Sequence, residues 1–176
     1  MIAWVLFGET ITAATKANPG VFTATAHGFT NGQVVGLSGI TGMTEANGKY
    51  GIVIVLSANT FSIAGLDTTN FTTYTSGGSA TPSQVTVGNL VSVPMPGGQK
   101  AELDVTNLSS TSKEFIAGLR DNGQATINFH VDQDDAGQMV LRSSFAASGS
   151  VASPFVFTLP NGKTRTFNAF CMNYGE

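Results

Sequence analysis

The chain has 176 residues, a formal net charge of −3 at pH 7, and charged side chains at only 11% of its positions. A soluble domain usually has about 25% charged residues, so a surface this poor in charge favours a protein that is covered by other subunits. The eight basic residues are scattered. This argues against a nucleic-acid-binding protein, which clusters Lys and Arg to displace counterions.

The N-terminus carries no recognisable targeting signal. The stretch MIAWVLFGET contains a short apolar run with no basic residue before it. A signal peptide begins with a positive region, and a membrane-spanning helix needs about 20 apolar residues. The single cysteine, Cys171, excludes a disulfide within the chain. We therefore expect an intracellular, soluble protein with no membrane segment.

The first part of the chain has the pattern of a small all-β module. Four segments alternate apolar and polar side chains as strands do: 20–29, 31–39, 47–56 and 59–66. The second and third segments each begin with an Asn-Gly pair, which predicts a turn at that point. We find no helical periodicity between residues 11 and 81. The Gly- and Ser-rich stretch YTSGGSATP, at 74–82, predicts a domain boundary.

The second part predicts longer strands and a β-hairpin. Strands are expected at 83–94, 99–108 and 124–132. In the second of these, Ala101, Leu103 and Val105 would share one face. Between the second and third lies a polar segment, 109–123, whose apolar residues are Phe115, Ile116 and Leu119.

The stretch PFVFTLPNGKTRTFNAF, at 154–170, has an Asn-Gly pair between two alternating runs. It predicts a hairpin with a two-residue type I′ turn at Asn161–Gly162. Phe155, Phe157 and Leu159 would share one face of its first strand.

One helix is expected, at about 136–147. Asp135 is followed three residues later by Gln138, which matches a capping box in which each side chain binds the backbone N–H of the other residue. Asp134 and Asp135 would also lie at the positive end of the helix dipole. Apolar residues then recur at helical spacing, and Gly149 would end the helix.

The stretch FHVDQDDAGQ, at 129–138, is the strongest candidate for a metal or catalytic site. His130 and Asp132 would share one face of strand 124–132. A metal site needs further converging ligands, and His27 lies about a hundred residues away in the other module. Polar surface is therefore the favoured interpretation of the pair, and the acids are interpreted as a helix start.

Other features associated with enzymes are also incomplete. The chain has no G-x-S-x-G motif, and PMPGGQK lacks the spacing of a phosphate-binding loop. Cys171 lies in the apolar stretch AFCMNY, where a small buried hydrophobe is favoured over a nucleophile. We expect no enzymatic activity, no catalytic or metal-binding residue and no cofactor.

A series of motifs runs in a fixed order through about ninety residues of the second part. A D-x-T-x-L strand end is followed by an E-F-I-x-G-L-x-D-x-G segment, a D-x-x-D-x-G-Q turn and an L-P-N-G hairpin. Their positions are Asp104, Thr106 and Leu108; Glu114, Phe115, Ile116, Gly118, Leu119, Asp121 and Gly123; Asp132, Asp135, Gly137 and Gln138; and Leu159 to Gly162. This series resembles the tail tube proteins of long-tailed bacteriophages.

The resemblance implies a mostly-β fold, a β-sandwich or barrel with one flanking helix. It also implies a structural protein of the virion tail that is assembled in the host cytoplasm. Six copies would form a ring, and the stacked rings would form a conduit for DNA ejection. The implied partners are further copies of the chain, tape measure and tail terminator proteins, and double-stranded DNA that passes without specific binding. The implied subunit interface comprises Asp104, Thr106, Lys113, Glu114, Phe115, Ile116 and Leu119.

The stretch from NPGVFTATAHGF to YTSGG, at 18–78, resembles a small β module found inserted in many phage tail proteins. This module is named after the first catalytic cysteine half-domain of ubiquitin-activating enzymes, but the stretch contains no cysteine. His27 and Gly28 match a turn position in it. We expect residues 1–11 and 81–176 to form a discontinuous tail tube domain, with residues 12–80 inserted as a decoration. Residues 1–11 would then pair with the strand that precedes DVTNL.

A second functional hypothesis is a carbohydrate-binding or adhesion module of a phage tail. Small β domains that expose Thr, Asn and Tyr often bind glycans. Trp4, Tyr50, Tyr74 and Tyr174 are spread along the chain without visible grouping, however, which favours packing over a common sugar-binding face.

Overall fold

A computed structural model describes residues 8–94, 97–147, 152–159 and 161–175 of the chain. The described part is mostly β and includes one α-helix, which confirms the predicted fold class. It forms two compact units: residues up to Gly88 together with those from Val131 onward, and Asn89–His130. No helix in the described ranges has the length and apolar character needed to span a membrane.

Seven strands of the first unit form one antiparallel sheet. They are β1 (Glu9–Thr10), β2 (Ala13–Ala14), β3 (Val21–Thr23), β4 (Val34–Ser38), β5 (Tyr50–Ser57), β6 (Thr60–Ile63) and β7 (Ser79–Pro82), with a short 3-10 helix at Thr44–Ala46. Their order across the sheet is β1-β7-β4-β5-β6-β3-β2. Strands β3 to β6 are the four predicted in the first part of the chain.

The two edge strands of this sheet are consecutive in the chain, and this closes the sheet into a barrel. β1 pairs with β7, and β2 pairs with β3. Between them, the Ile11 N–H donates to the Gly78 carbonyl at 2.9 Å and the Thr12 N–H donates to the Thr23 carbonyl at 2.8 Å. One extended segment therefore changes its partner at Ile11 and joins the two edges.

The expected partner of residues 1–11 is the strand that precedes DVTNL. Glu9 and Thr10 pair instead with Ala80 and Ser79 of β7. Residues 1–7 lie outside the described ranges. In the described part, the N-terminal segment is therefore a strand of the barrel.

Aromatic and branched side chains fill the barrel. The Phe61 ring stacks on Phe22 at 5.7 Å between centroids and meets Phe29 edge-on at 5.1 Å. The core also contains Ile11, Val35, Leu37, Val53 and Ile63, each at most 2% exposed. Burial of this order is worth about 1.5–3 kcal/mol for each large side chain. The barrel is therefore the main apolar core among the described residues.

His27 belongs to this core and is 4% exposed. Its Nδ1 accepts a hydrogen bond from the Phe29 N–H at 3.0 Å. Its Nε2 lies 3.1 Å from the Ser57 carbonyl oxygen, so this nitrogen must carry the proton and donate it. Both ring nitrogens thus bind the backbone. His27 fixes the turn between β3 and β4 to the end of β5.

Helix α1 (Ala136–Ala146) matches the predicted helix to within one residue. The Asp135 carboxylate accepts a hydrogen bond from the Gln138 N–H at 2.8 Å and also receives the Gly88 N–H at 3.1 Å. The Gln138 side chain departs from the expected box, because its carbonyl accepts from the Asp132 N–H at 2.8 Å. The Asp135 N–H already donates to the Asp132 carbonyl. The predicted end of the helix at Gly149 lies outside the described residues.

Helix α1 packs on strand β5 of the barrel. The buried Ser143 hydroxyl accepts a hydrogen bond from the Ile52 N–H at 2.8 Å and donates to the Ala64 carbonyl at 2.8 Å. A Cβ at position 51 would lie 2.8 Å from the Ser143 oxygen, so glycine at 51 permits this close approach. Because of this packing, the compact units do not coincide with the expected domains.

The predicted hairpin is confirmed as β12 (Ser153–Thr158) and β13 (Thr164–Ala169). Phe155 lies opposite Phe167, with ring centroids 6.0 Å apart, and Phe157 lies 5.1 Å from the same ring. The Ser153 hydroxyl is 3.0 Å from the Ser144 hydroxyl, which ties the hairpin to α1.

The two-residue type I′ turn predicted for this hairpin is wrong. The Leu159 N–H donates to the Lys163 carbonyl, and the Gly162 N–H donates to the Leu159 carbonyl, both at 2.8 Å. This leaves a three-residue loop, 160–162, with Gly162 at a φ of +75°. The pairing of Leu159 with Lys163 therefore makes the connection one residue longer than expected.

The second unit consists of two short antiparallel pairs. β8 (Leu90–Ser92) pairs with β11 (Asn128–Phe129), and β9 (Gln99–Asp104) pairs with β10 (Phe115–Asp121). The strands predicted at 83–94 and 124–132 are thus much shorter than expected. The segment 109–123, expected to be polar with Phe115, Ile116 and Leu119 as its apolar residues, contains β10.

The Ser143 bridge predicts a specific loss of stability. Ser143→Ala removes the partner of the buried Ile52 N–H, and an unsatisfied buried group costs about 1–3 kcal/mol. We expect this loss in the free energy of unfolding measured with urea. The exposed Ser112→Ala is the matched control and should stay within about 0.5 kcal/mol of the unmodified chain. An equal effect of both substitutions would contradict the bridge.

Candidate assembly interface

Strands β9 and β10 and their connecting loop form an exposed ribbon that contains every expected interface residue. Asp104 ends β9, Thr106, Lys113 and Glu114 lie in the loop, and Phe115, Ile116 and Leu119 lie in β10. The register pairs Phe115 with Asp104 and Arg120 with Lys100, and it shifts between Ala117 and Arg120. The structure therefore brings the predicted residues together in one small element.

The register gives the ribbon two chemically different faces. Since paired residues lie on the same face, one face carries Ala101, Leu103, Val105 and Ile116, and we call it the apolar face. The other carries Lys100, Glu102, Asp104, Phe115, Ala117 and Arg120, and we call it the charged face. The alternation predicted for Ala101, Leu103 and Val105 follows from this strand geometry.

The apolar face and the loop expose large hydrophobic side chains to solvent. Leu103 and Ile116 are 51% and 53% exposed, Leu119 is 90% exposed, and Leu108 at the loop tip is fully exposed. Single exposed apolar residues are normal on a protein surface, whereas a contiguous group marks an interaction site. The ribbon thus has the character of a surface that a partner covers.

Hydrogen bonds hold the loop 105–114 in a defined shape. The Asp104 carboxylate accepts from the Thr106 N–H at 2.9 Å, and the Thr106 hydroxyl accepts from the Glu114 N–H at 3.0 Å. The Val105 N–H donates to the Glu114 carbonyl at 2.9 Å, which extends the strand pairing into the loop. A loop that is ordered in advance loses less conformational entropy when it binds.

The tip of the loop is ordered in the same way. The side-chain oxygen of Asn107 accepts a hydrogen bond from the Ser109 N–H at 2.9 Å, and the Ser110 hydroxyl donates one to the Glu114 carboxylate at 3.1 Å. Leu108 lies inside this bonded turn. Leu108 is not among the expected interface residues. It is the last residue of the D-x-T-x-L motif, and that motif could have indicated it as an interface residue.

The remaining chemical candidates do not gather into a site. Among the described residues, no group of three His, Cys, Asp or Glu side chains could hold a metal ion. Burial raises the pKa of the Cys171 thiol, whose Sγ donates weakly to the Asn173 carbonyl at 3.5 Å. The thiol is therefore protonated near neutral pH and is a poor nucleophile there. His27 is engaged in the barrel core, and His130 is exposed.

The loop predicts a pH dependence that NMR can measure. Hydrogen bonds from the Thr106 hydroxyl and N–H lower the pKa of Asp104. A lowered folded-state pKa means that these bonds contribute above the ordinary aspartate value of about 3.9 and are lost as the pH falls through the lower, folded value. We expect the Thr106 amide signal of the dilute chain to titrate with a midpoint below 3.9. Asp104→Asn should abolish that titration.

Asp67 provides an internal comparison, because Thr69 donates to it in the same arrangement and lowers its pKa. The Thr69 amide should titrate in the same direction in both the unmodified chain and Asp104→Asn. A Thr106 midpoint at or above 3.9 would show that the loop bonds are not formed in solution.

Comparison with known protein families finds two matches. The sequence model described as phage tail tube, TTP, lambda-like, matches residues 64–169. The model described as the ubiquitin-activating enzyme E1 FCCH domain matches residues 18–84. The two matches overlap at residues 64–84, which begin directly after β6 and include all of β7.

Curated relatives resemble the barrel part of the chain. Ubiquitin-like modifier-activating enzyme 1 of Oryctolagus cuniculus is 43% identical over 98 residues, which is 53% of this chain and 9% of the enzyme. The Homo sapiens protein of the same name is 39% identical over 109 residues, 58% of this chain and 10% of the enzyme. The chain thus spans about a tenth of the length of these relatives. Its residues 18–84 contain no cysteine.

The tail tube match covers more than half of the 176 residues, and it contains the ribbon, α1 and the whole β12–β13 hairpin. The mostly-β structure with one helix agrees with this match. The chain therefore belongs to the lambda-like phage tail tube family and is a structural protein of the virion tail.

Proposed function

We propose that this chain is the subunit that builds the tail tube, by assembling into hexameric rings that stack into a conduit for DNA ejection. The observation that carries the proposal is the exposed apolar face of the ribbon, which lies within the region matched by the tail tube family. A heterologous contact between copies propagates into rings or open tubes. The function proposed is structural, and it requires neither enzymatic activity nor a cofactor.

The apolar face, together with Leu108 of the loop and Leu119 of β10, offers apolar surface that such a contact would bury. Complete burial of a Leu or Ile side chain is worth about 1.5–3 kcal/mol relative to full exposure. Leu103 and Ile116 are half exposed, and Leu108 and Leu119 are almost entirely exposed, so most of this contribution is still available to a partner. The hydrogen-bonded loop lowers the entropy cost of using it.

The composition supports passage of DNA without specific binding. The net charge of −3 and the scattering of the eight basic residues along the sequence disfavour tight binding of phosphates. We propose that double-stranded DNA slides through the tube, and that the tube is assembled in the host cytoplasm. Tape measure and tail terminator proteins would set its length and its end.

We propose that residues 1–11 and 81–176 constitute the tail tube domain, with residues 12–80 inserted as a decoration on the outside. The pairing of Glu9 with Ala80 supports this, because it places the two ends of the module side by side. Adjacent ends allow a module to be inserted without separating the parent strands. The packing of α1 on β5 would hold the module in a fixed orientation.

The proposal predicts that exposed leucines of the ribbon control assembly. Negative-stain electron microscopy and sedimentation of the unmodified chain over a range of concentrations should show hollow rings or tubes of uniform width. Leu119→Ser and Leu108→Ser remove apolar contact area and should each raise the concentration needed for assembly at least about tenfold, since about 1.4 kcal/mol corresponds to a factor of ten.

The matched control is Leu56→Ser, because Leu56 is 54% exposed on barrel strand β5. It should assemble like the unmodified chain. Two results would contradict the proposal. One is an unmodified chain that stays monomeric at every concentration, and the other is an equal effect of Leu56→Ser and Leu119→Ser on assembly.

A further inference from the structure

The charges on the charged face of the ribbon are sorted by sign along its length. Lys100 and Arg120 lie directly opposite each other at the end remote from the loop. Glu102 and Asp104 follow on the same face toward the loop. At about 3.3 Å per residue, Lys100 and Asp104 are about 13 Å apart along the strand. One end is therefore cationic and the other acidic, and the four charges sum to zero.

This arrangement is unfavourable for an isolated ribbon. Like charges directly opposite each other on an antiparallel pair destabilise it. All four side chains are exposed. Within the described ranges, none of the four forms an ion pair with another part of the chain. Asp104 lies about 13 Å from Lys100, beyond the screening length of about 8 Å at physiological salt, whereas Glu102 lies about 6.6 Å from Lys100 and within it. Of the two acids, Glu102 therefore offsets part of the cationic charge and Asp104 hardly any.

We propose that the cationic end of one ribbon, Lys100 and Arg120, contacts the acidic end of a second copy's ribbon, Glu102 and Asp104. This inference rests on the proposed function, since it adds the element that orients and selects the copies that assemble. The apolar face supplies contact area, whereas the charged face fixes which end meets which. Complementary charges of this kind set orientation and exclude wrong pairings more than they add affinity.

A second copy is favoured as the occupant because one surface carries both halves of the complementary pattern in equal number. A polyanion such as DNA would be attracted by Lys100 and Arg120 and repelled by Glu102 and Asp104 a few residues away. Membership of a tail tube family also favours a second copy, because a heterologous contact needs two mutually complementary patches on each copy. Phe115 and Ala117 lie opposite Asp104 and Glu102 and would be covered in the same contact.

Charge-swap variants test this contact. The first variant, Lys100→Glu with Arg120→Gln, changes the cationic end from +2 to −1. The second, Glu102→Lys with Asp104→Asn, changes the acidic end from −2 to +1, while an asparagine at 104 keeps an oxygen for the Thr106 N–H. Each chain is assayed alone, and the two are then mixed in equal amounts. Assembly is followed by sedimentation and electron microscopy against the unmodified chain.

We expect each variant alone to need at least about tenfold more protein for assembly, since like charges then meet at every contact. The equimolar mixture should assemble within about threefold of the unmodified chain, because alternating copies restore attraction at every contact and six is an even number. All four positions are exposed, and circular dichroism of each variant verifies its folding.

Two results would overturn the inference while the unmodified chain still forms tubes. One is assembly of either variant alone at the unmodified concentration, and the other is failure of the mixture to recover. An unmodified chain that forms no rings or tubes would instead overturn the proposed function itself, and the inference with it.

Discussion

The buried hydroxyl of Ser143 joins helix α1 to the barrel. Ser143 of α1 accepts the N–H of Ile52 and donates to the carbonyl of Ala64, and the glycine at position 51 leaves room for it. The barrel belongs to the region matched by the FCCH domain, whereas α1 lies in the region matched only by the tail tube family. Since backbone groups buried under the helix need partners, the hydroxyl makes helix and barrel one packed body.

The ribbon differs from the barrel because its side chains are mostly exposed. The proposed function depends on this difference between a buried core and an exposed ribbon. The barrel satisfies its own edges through the segment around Ile11 and fills its core with aromatic rings. The ribbon of β9 and β10 buries little of its own surface and exposes both an apolar and a charged face. A chain with a stable barrel and an ordered, exposed ribbon is suited to repeated assembly, because the ribbon can bind a second copy without refolding of the barrel.

Local signals determine how far the sequence predicts this structure. Asp135 and Gln138 indicate the start of α1 within one residue, and the alternating runs around Asn161 indicate the hairpin, although its connection is one residue longer than expected. Contacts between distant residues carry no such signal: Ser143 binds a residue 91 positions earlier. Strand β10 escapes prediction because FIAGLRD does not alternate and its register shifts after Ala117. Leu108 could be found only through its motif, since nothing in its neighbours distinguishes a buried leucine from an exposed one.

Amide hydrogen exchange before and after assembly tests most directly the claim that a stable body carries one assembly element. Exchange reports local opening along the chain. The account predicts that amides of β3 to β6 and α1, including that of Ile52, are strongly protected in the monomer and unchanged on assembly. Amides of the ribbon, residues 99–121, should exchange faster than those of the barrel in the monomer and gain protection in the assembled state. Protection gained mainly in the barrel, with the ribbon unchanged, would contradict the account.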